Sequence, residues 1–183
     1  MEVNNNTAKI IFYPVGNGDT TQIVTTNNER IIIDFNHVIS EKESDFDLSR
    51  ELKNSLGNKD SVEVFMVTHM DDDHMCGFSN FFELEHAQKY QGNGRVKIKE
   101  LWVPAAVILE KGEEISGEKE ILRAEARHRL KVGKGIRIFS KPEDLKDYLT
   151  EKNIQGQENL FVTAGQILTM FQVLTLELLK KFI

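Results

Sequence analysis

One cysteine in 183 residues, Cys76, leaves no partner for an internal disulfide, so the sequence reads as that of a protein from a reducing compartment. Only 3 prolines and 12 glycines are present, which excludes collagen-like and low-complexity chains. Basic residues are in the minority: 23 Lys and Arg face 29 Asp and Glu, a net charge of −6, so a generic nucleic-acid coat is excluded. The polar, Asn-rich start from Met1 to Lys9 lacks the apolar core of a secretory signal. No clearly apolar run of about 18 residues is long enough to span a bilayer. The nearest, Leu160 to Leu176, is uncharged but interrupted by Thr163, Gln166, Thr169, Gln172 and Thr175, and reads as a buried strand or helix. The expectation is a cytoplasmic protein without a membrane segment.

What remains is an ordinary globular composition, 40% hydrophobic and 28% charged, and a length suited to one domain spanning 1–183. Lys9 to Tyr13 is a short apolar run, and Pro14 to Asp19 (PVGNGD) is a glycine-rich turn. Thr20–Thr26 and Arg30–Phe35 flank Asn27-Asn28 as a hairpin. Three consecutive isoleucines, Ile31 to Ile33, predict a strand buried on both faces. Leu48, Leu52 and Leu56, followed by Gly57, predict an amphipathic helix with a glycine C-cap. Ser61 to Val67 is a second apolar strand. Strand, helix, strand with polar residues at the strand ends is an α/β pattern. Further on, the sequence predicts a helix from Ser79 to Lys89 and a strand from Val96 to Val103. A charged helix capped by Ser116 follows to Val132, then a strand from Ile136 to Phe139. Last comes a helix opened by a capping box at Ser140–Glu143.

The segment with chemical content is Val67 to Phe78, VTHMDDDHMCGF. It holds His69-x-Asp71-x-Asp73-His74, four potential ligands within six residues, directly after a buried strand. Imidazole and carboxylate together suit borderline divalent ions, zinc, manganese or iron. Four such groups are enough to contribute to two adjacent ions, which lower the pKa of a bridging water and clamp the oxygens of a displacement. The competing reading of an Asp-rich turn is a helix N-cap or a solvated loop. Asp72 is expected to face solvent. Cys76 reads as a small hydrophobe.

These residues resemble the signature of the metallo-β-lactamase superfamily, with Asp71 where the second His usually stands. In that form the segment is similar to the domain found in ComEC-type competence proteins and their stand-alone bacterial relatives. VGNGD (15–19), IIID (31–34) and FSNFF (78–82) resemble that group's turn, first strand and following segment. The resemblance is strongest over 8–103.

The resemblance implies a four-layer αββα sandwich and a hydrolase that takes up to two divalent ions, Zn2+ or Mn2+. It implies His69 and Asp71 as ligands of one ion, and Asp73 and His74 as ligands of the other. Asp73 is also the residue that orients or deprotonates water. Asp34 is implied as an anchor beneath the site, and Asp19 as a turn residue beside the cleft. His37, on the loop after Asp34, is a further residue placed to touch substrate or metal. Asp71 in place of His makes the first site harder, which favours manganese or iron. The implied substrates are phosphodiesters or nucleic acid.

The superfamily draws further ligands from its second half, where only His86 and His128 follow, and both read as solvated helix residues. The alternative is a catalytically incomplete, truncated module with an atypical tail, 158–183, whose apolar residues pair with another copy. The segment Lys111–Lys134 carries seven basic residues. It reads either as a phosphate-facing helix or as a solvated helix with i,i+4 pairs such as Glu125–Arg129.

Overall fold

The computed structural model describes residues 7–38, 46–110 and 116–166. They form a mixed α/β fold around a single eight-stranded sheet. The strands β1 (Lys9–Phe12), β2 (Thr21–Val24) and β3 (Arg30–Ile33) are an antiparallel meander. Asn28, at φ 64, turns the expected hairpin between β2 and β3. The helix α1 (Leu48–Leu56) then returns the chain to β4 (Ser61–Met66), which pairs parallel with β3. Asp47 caps α1 by accepting from the Arg50 amide, and Gly57 ends it, as the leucine spacing predicts.

Past β4 come α2 (Phe78–Phe81) and β5 (Phe82–Glu83), which pairs with the start of β6 (Val96–Pro104). Then follow α3 (Ala105–Leu109), α4 (Glu118–Val132), β7 (Ile136–Phe139), α5 (Pro142–Glu151) and β8 (Phe161–Val162). The sheet order is β1-β2-β3-β4-β6-β7-β8, with every pair from β3 onward parallel. Among the described residues, no helix is long and apolar enough to cross a membrane.

All five helices lie in one core cluster with one face of the sheet. Leu48, Leu52 and Leu56 of α1 and Leu122, Ala126 and Leu130 of α4 join Ile32, Phe65, Leu101 and Ile138 there. Aromatic rings hold the middle of this core. Phe65 stacks on Phe82 with centroids 4.4 Å apart, and Phe35 lies 5.1 Å from Phe81. Each such pair adds roughly 0.5–1.5 kcal/mol beyond the area it buries. Phe35 follows Asp34, Phe65 precedes Thr68, and Phe78 follows the Asp-rich loop. The loop is therefore held at both ends by packed rings.

The opposite face of the sheet is different. In register, Ile10, Ile23, Ile31 and Val64 form one row, and Phe12, Thr21, Ile33, Met66 and Trp102 form the next. None of these residues belongs to the core cluster. Ile31 and Ile33 are only half-buried while Ile32 is fully buried. The expected strand buried on both faces is thus covered on one face by the described residues, which form one sheet rather than the two of an αββα sandwich.

Several local expectations are corrected. The helix expected over Ser79–Lys89 is one turn, because Phe82 becomes extended and pairs with Val96; His86 lies in the loop beyond. Gly117, not Ser116, is the N-cap of α4. The helix α5 begins after Lys141 at φ 42 with no side-chain cap, so the Ser140 capping box does not form. The tail expectation concerning 158–183 lies outside the described residues from 167 onward.

Candidate metal centre

The strands β3 and β4 end side by side, and the residues after them build the site. Asp34 leaves β3 at φ 55, a left-handed conformation that Asp adopts more readily than most residues. Its amide donates to the Met66 carbonyl at 2.8 Å, which fixes it against the end of β4. The next residues run beside the Asp-rich loop: Phe35 N–H donates to the His74 carbonyl and His37 N–H to that of Cys76. Gly77, at φ 76, closes this pairing; a Cβ there would stand 2.8 Å from the His37 carbonyl oxygen.

The buried Asp34 carboxylate organises the site. Oδ1 accepts from the Thr68 amide at 2.7 Å, and Oδ2 accepts from the Thr68 hydroxyl at 2.6 Å. Oδ2 also lies 2.9 Å from His74 Nδ1. A carboxylate oxygen can only accept here, so His74 donates from Nδ1 and turns Nε2 away from Asp34. Thr68 spends its one hydroxyl proton on Asp34. Its contact with His69 Nδ1 at 2.9 Å therefore has the imidazole donating, and His69 also presents Nε2. One carboxylate sets both tautomers, directly for His74 and through Thr68 for His69.

The two Nε2 atoms each face an aspartate. His69 Nε2 is 3.4 Å from Asp71 Oδ2, and His74 Nε2 is 3.8 Å from Asp73 Oδ2. The rings of His69 and His74 are 3.7 Å apart between centroids. Donors on a tetrahedral ion with bonds of about 2.0–2.1 Å are roughly 3.4 Å apart, so both pairs have near-ligand spacing. The donor types and tautomers fit a borderline divalent ion. The donor count within each pair is two: among the described residues, no group of three or more His, Cys, Asp or Glu side chains is placed to hold a metal ion.

His74 is buried at the floor, while His69, Asp71, Asp72 and Asp73 are exposed. Asp71 is the N-cap residue of the short 3-10 turn Asp72–His74, but its side chain makes no cap hydrogen bond and stays with His69. Asp72 turns outward to Lys119 at 3.5 Å. The glycine-rich turn packs against the same loop. A side chain on Gly18 would run into the Asn36 amide and the Asp73 carbonyl oxygen. Asn36 binds the Asn17 carbonyl through its side chain and Thr20 Oγ1 through its backbone. Asp19 sits on this turn, exposed, and the Thr20 hydroxyl donates to its carbonyl. His37 is half-buried beside Phe35, and its Nδ1 is buried with no hydrogen-bond partner. Burial pushes the Cys76 thiol up, assisted by the negative charges of Glu118 and Asp72, so it is a poor thiolate.

The remaining histidines stand apart from the cluster. His86 is not a solvated helix residue: its Nδ1 lies 2.9 Å from Glu125 Oε2, and its amide donates to the same oxygen. His128 lies on α4. The phosphate-facing alternative for α4 loses three of its cations. Arg129 is buried, while Arg123 and Arg127 donate to the carbonyls of Val107 and Ile108. The residue that sequence reasoning missed is Thr68. Its only signal was its place between a strand end and His69, which does not reveal that it links two hydrogen-bonded groups.

Compared with known protein families, curated proteins and solved structures, the chain matches none.

Proposed function

We propose that this chain is a divalent-metal-dependent hydrolase of the metallo-β-lactamase type, acting on phosphodiesters. The single observation that supports this most is the Asp34 network, which turns Nε2 of both His69 and His74 toward Asp71 and Asp73. A structural turn has no need to set two imidazole tautomers. His69 and Asp71 would hold one ion, Asp73 and His74 a second, with zinc or manganese suited to the donors. A bound ion of this kind supplies a water of lowered pKa and Lewis-acid polarisation of a phosphoryl oxygen. In this reading Asp73, exposed and beside His74 Nε2, accepts the proton of the attacking water. Asp34 and Thr68 keep the histidines aligned, and the open, solvent-facing rim admits an extended substrate. The αββα sandwich is part of the same proposal, with the described sheet and helices as one half of it.

Cleavage of bis(p-nitrophenyl) phosphate and single-stranded DNA, with Mn2+ or Zn2+, by the wild type and Asp73→Ala tests this. Metal-dependent turnover lost in the variant supports it. Equal rates in both, with and without metal, refute it. One observation favours a second reading, a non-catalytic binding module: the described residues provide no third ligand to either pair. Metal binding measured by calorimetry without any turnover would select that reading.

A further inference from the structure

We propose that Lys119, Arg95 and Lys53 form a cationic row that leads away from the Asp-rich loop and holds the phosphates of a polymeric substrate, a nucleic-acid strand, beyond the one at the site. The inference rests on the hydrolase reading for where the cleaved phosphate lies, and adds the residues that select a polymer over a small ester. The row begins at the site: Lys119 Nζ is 3.5 Å from Asp72 Oδ1, one residue before Asp73. Printed step by step in the packing, contacts then link it to the other two cations. Glu118, next to Lys119, accepts from the Ser79 hydroxyl at 2.8 Å and from its amide at 3.2 Å. The Ser79 carbonyl in turn accepts from Arg95 Nε at 3.2 Å. Gly94, beside Arg95, is bounded by Lys53: a Cβ on it would lie 4.0 Å from Lys53 Nζ. That ammonium is also 6.0 Å from the Phe81 ring. Ser79 and Phe81 both belong to α2, so the row crosses α2 from α4 to α1.

The fold makes little use of these three charges. Neither Arg95 nor Lys53 is ion-paired among the described residues. Lys119 sits in the first turn of α4, the positive end of the helix, where a cation is disfavoured. Its pair is with the largely exposed Asp72, and an exposed pair stabilises little, so a phosphate can take the place of Asp72 at small cost. Glu118, the acid within the row, is committed to Ser79. Arg123, Arg127 and Arg129 of the same helix are spent on the protein's own carbonyls and carboxylates, which leaves Lys119 as the α4 cation at the loop. With a net charge of −6, attraction of a polyanion falls to a local row of this kind. Lysine and arginine at phosphates position a strand without reading its bases.

Fluorescence anisotropy of a labelled oligothymidine, titrated with the full-length chain in EDTA over a salt series, tests the row without any turnover. Each phosphate contact on a single strand contributes about −0.7 to the slope of log K against log salt. Lys53→Gln/Arg95→Gln/Lys119→Gln is therefore expected to bind more weakly at low salt and to flatten the slope by about 2. The charge-retaining Lys53→Arg/Arg95→Lys/Lys119→Arg keeps the wild-type slope, as does Lys131→Gln in the last turn of α4. Should the triple Gln variant lose its fold by circular dichroism, Lys53→Gln/Lys119→Gln, which removes no backbone hydrogen bond, repeats the test with a proportionate change in slope. No binding by the wild type, an unchanged slope in the Gln variants, or an equal loss in Lys131→Gln overturns the proposal. The hydrolase reading is scored separately, by metal-dependent turnover in the wild type: binding that depends on the row without turnover refutes that reading and not the row.

Discussion

Removing the carboxylate of Glu125 exposes how the site's scaffold is held. Glu125 and Arg129 are one turn apart on α4, and their side chains are 0% and 1% exposed. Arg129 Nε donates to Glu125 Oε1 at 2.6 Å. Its Nη1 donates to the carbonyls of Ile98 at 3.1 Å and Gly135 at 2.9 Å, and Nη2 faces Glu85 at 3.2 Å. Glu125 Oε2 takes the His86 amide. The pair thus ties α4 to β6, to the loop before β7 and to the segment after β5.

In Glu125→Ala the guanidinium stays desolvated with carbonyls and the half-exposed Glu85, and the His86 N–H loses its acceptor. Breaking a buried pair from one side costs about 3–5 kcal/mol, against a total stability of about 5–15 kcal/mol. At roughly 2–4 °C per kcal/mol for a chain of this size, the melting temperature falls by about 6–20 °C. The double variant Glu125→Leu/Arg129→Met removes both charges and recovers most of the loss. Urea and thermal unfolding followed by circular dichroism measure both variants. A cost for Glu125→Ala below about 1 kcal/mol, the scale of an exposed i,i+4 pair, would refute the buried-lock reasoning.

The same carboxylate predicts a pH dependence. Burial opposes its ionisation, but the charge and hydrogen bond of Arg129 and the amides of Glu85 and His86 outweigh this and hold its pKa below the usual range. Its contribution is therefore complete above the unfolded-state value, near 4.3, and is lost as pH falls through the lower folded value; wild type and Glu125→Gln should converge in stability in acid. Asp34→Ala removes the acceptor of Thr68 and His74, and we expect Zn2+ or Mn2+ affinity by calorimetry to weaken about 10–100-fold; unchanged affinity would show that the network does not serve a metal. Gly77→Ala places a Cβ against the His37 carbonyl at a positive φ, and we expect a loss of about 1 kcal/mol or more in urea unfolding, with equal stability counting against the described pairing. Phe82→Ala empties the ring cluster under the loop and should cost about 3–5 kcal/mol, with a loss under about 1 kcal/mol placing Phe82 outside the core.

Local pattern carries much of the fold. The hairpin at Asn27-Asn28, the leucines of α1, the strands at Ser61 and Ile136 and the outward turn of Asp72 all follow from neighbours within a few residues. The failures differ in cause. Phe82 leaves its helix because Val96 is there to pair with, and Lys141 rather than Ser140 precedes α5 because of a local left-handed turn. Glu125–Arg129 reads as a solvated pair by spacing, yet β6 and the His86 loop close over it.

The site divides the same way. The run from His69 to His74 names the donor types, because ligand chemistry resides in side-chain identity. Which nitrogen each histidine presents depends on Asp34, forty residues before His74, and on Thr68 between them, so only the meeting of β3 with β4 decides it. By itself, the sequence determined an α/β chain with a run of His and Asp residues at a strand end. The tertiary structure decided which face of the sheet the helices cover, because burial is shared among segments that no local pattern brings together.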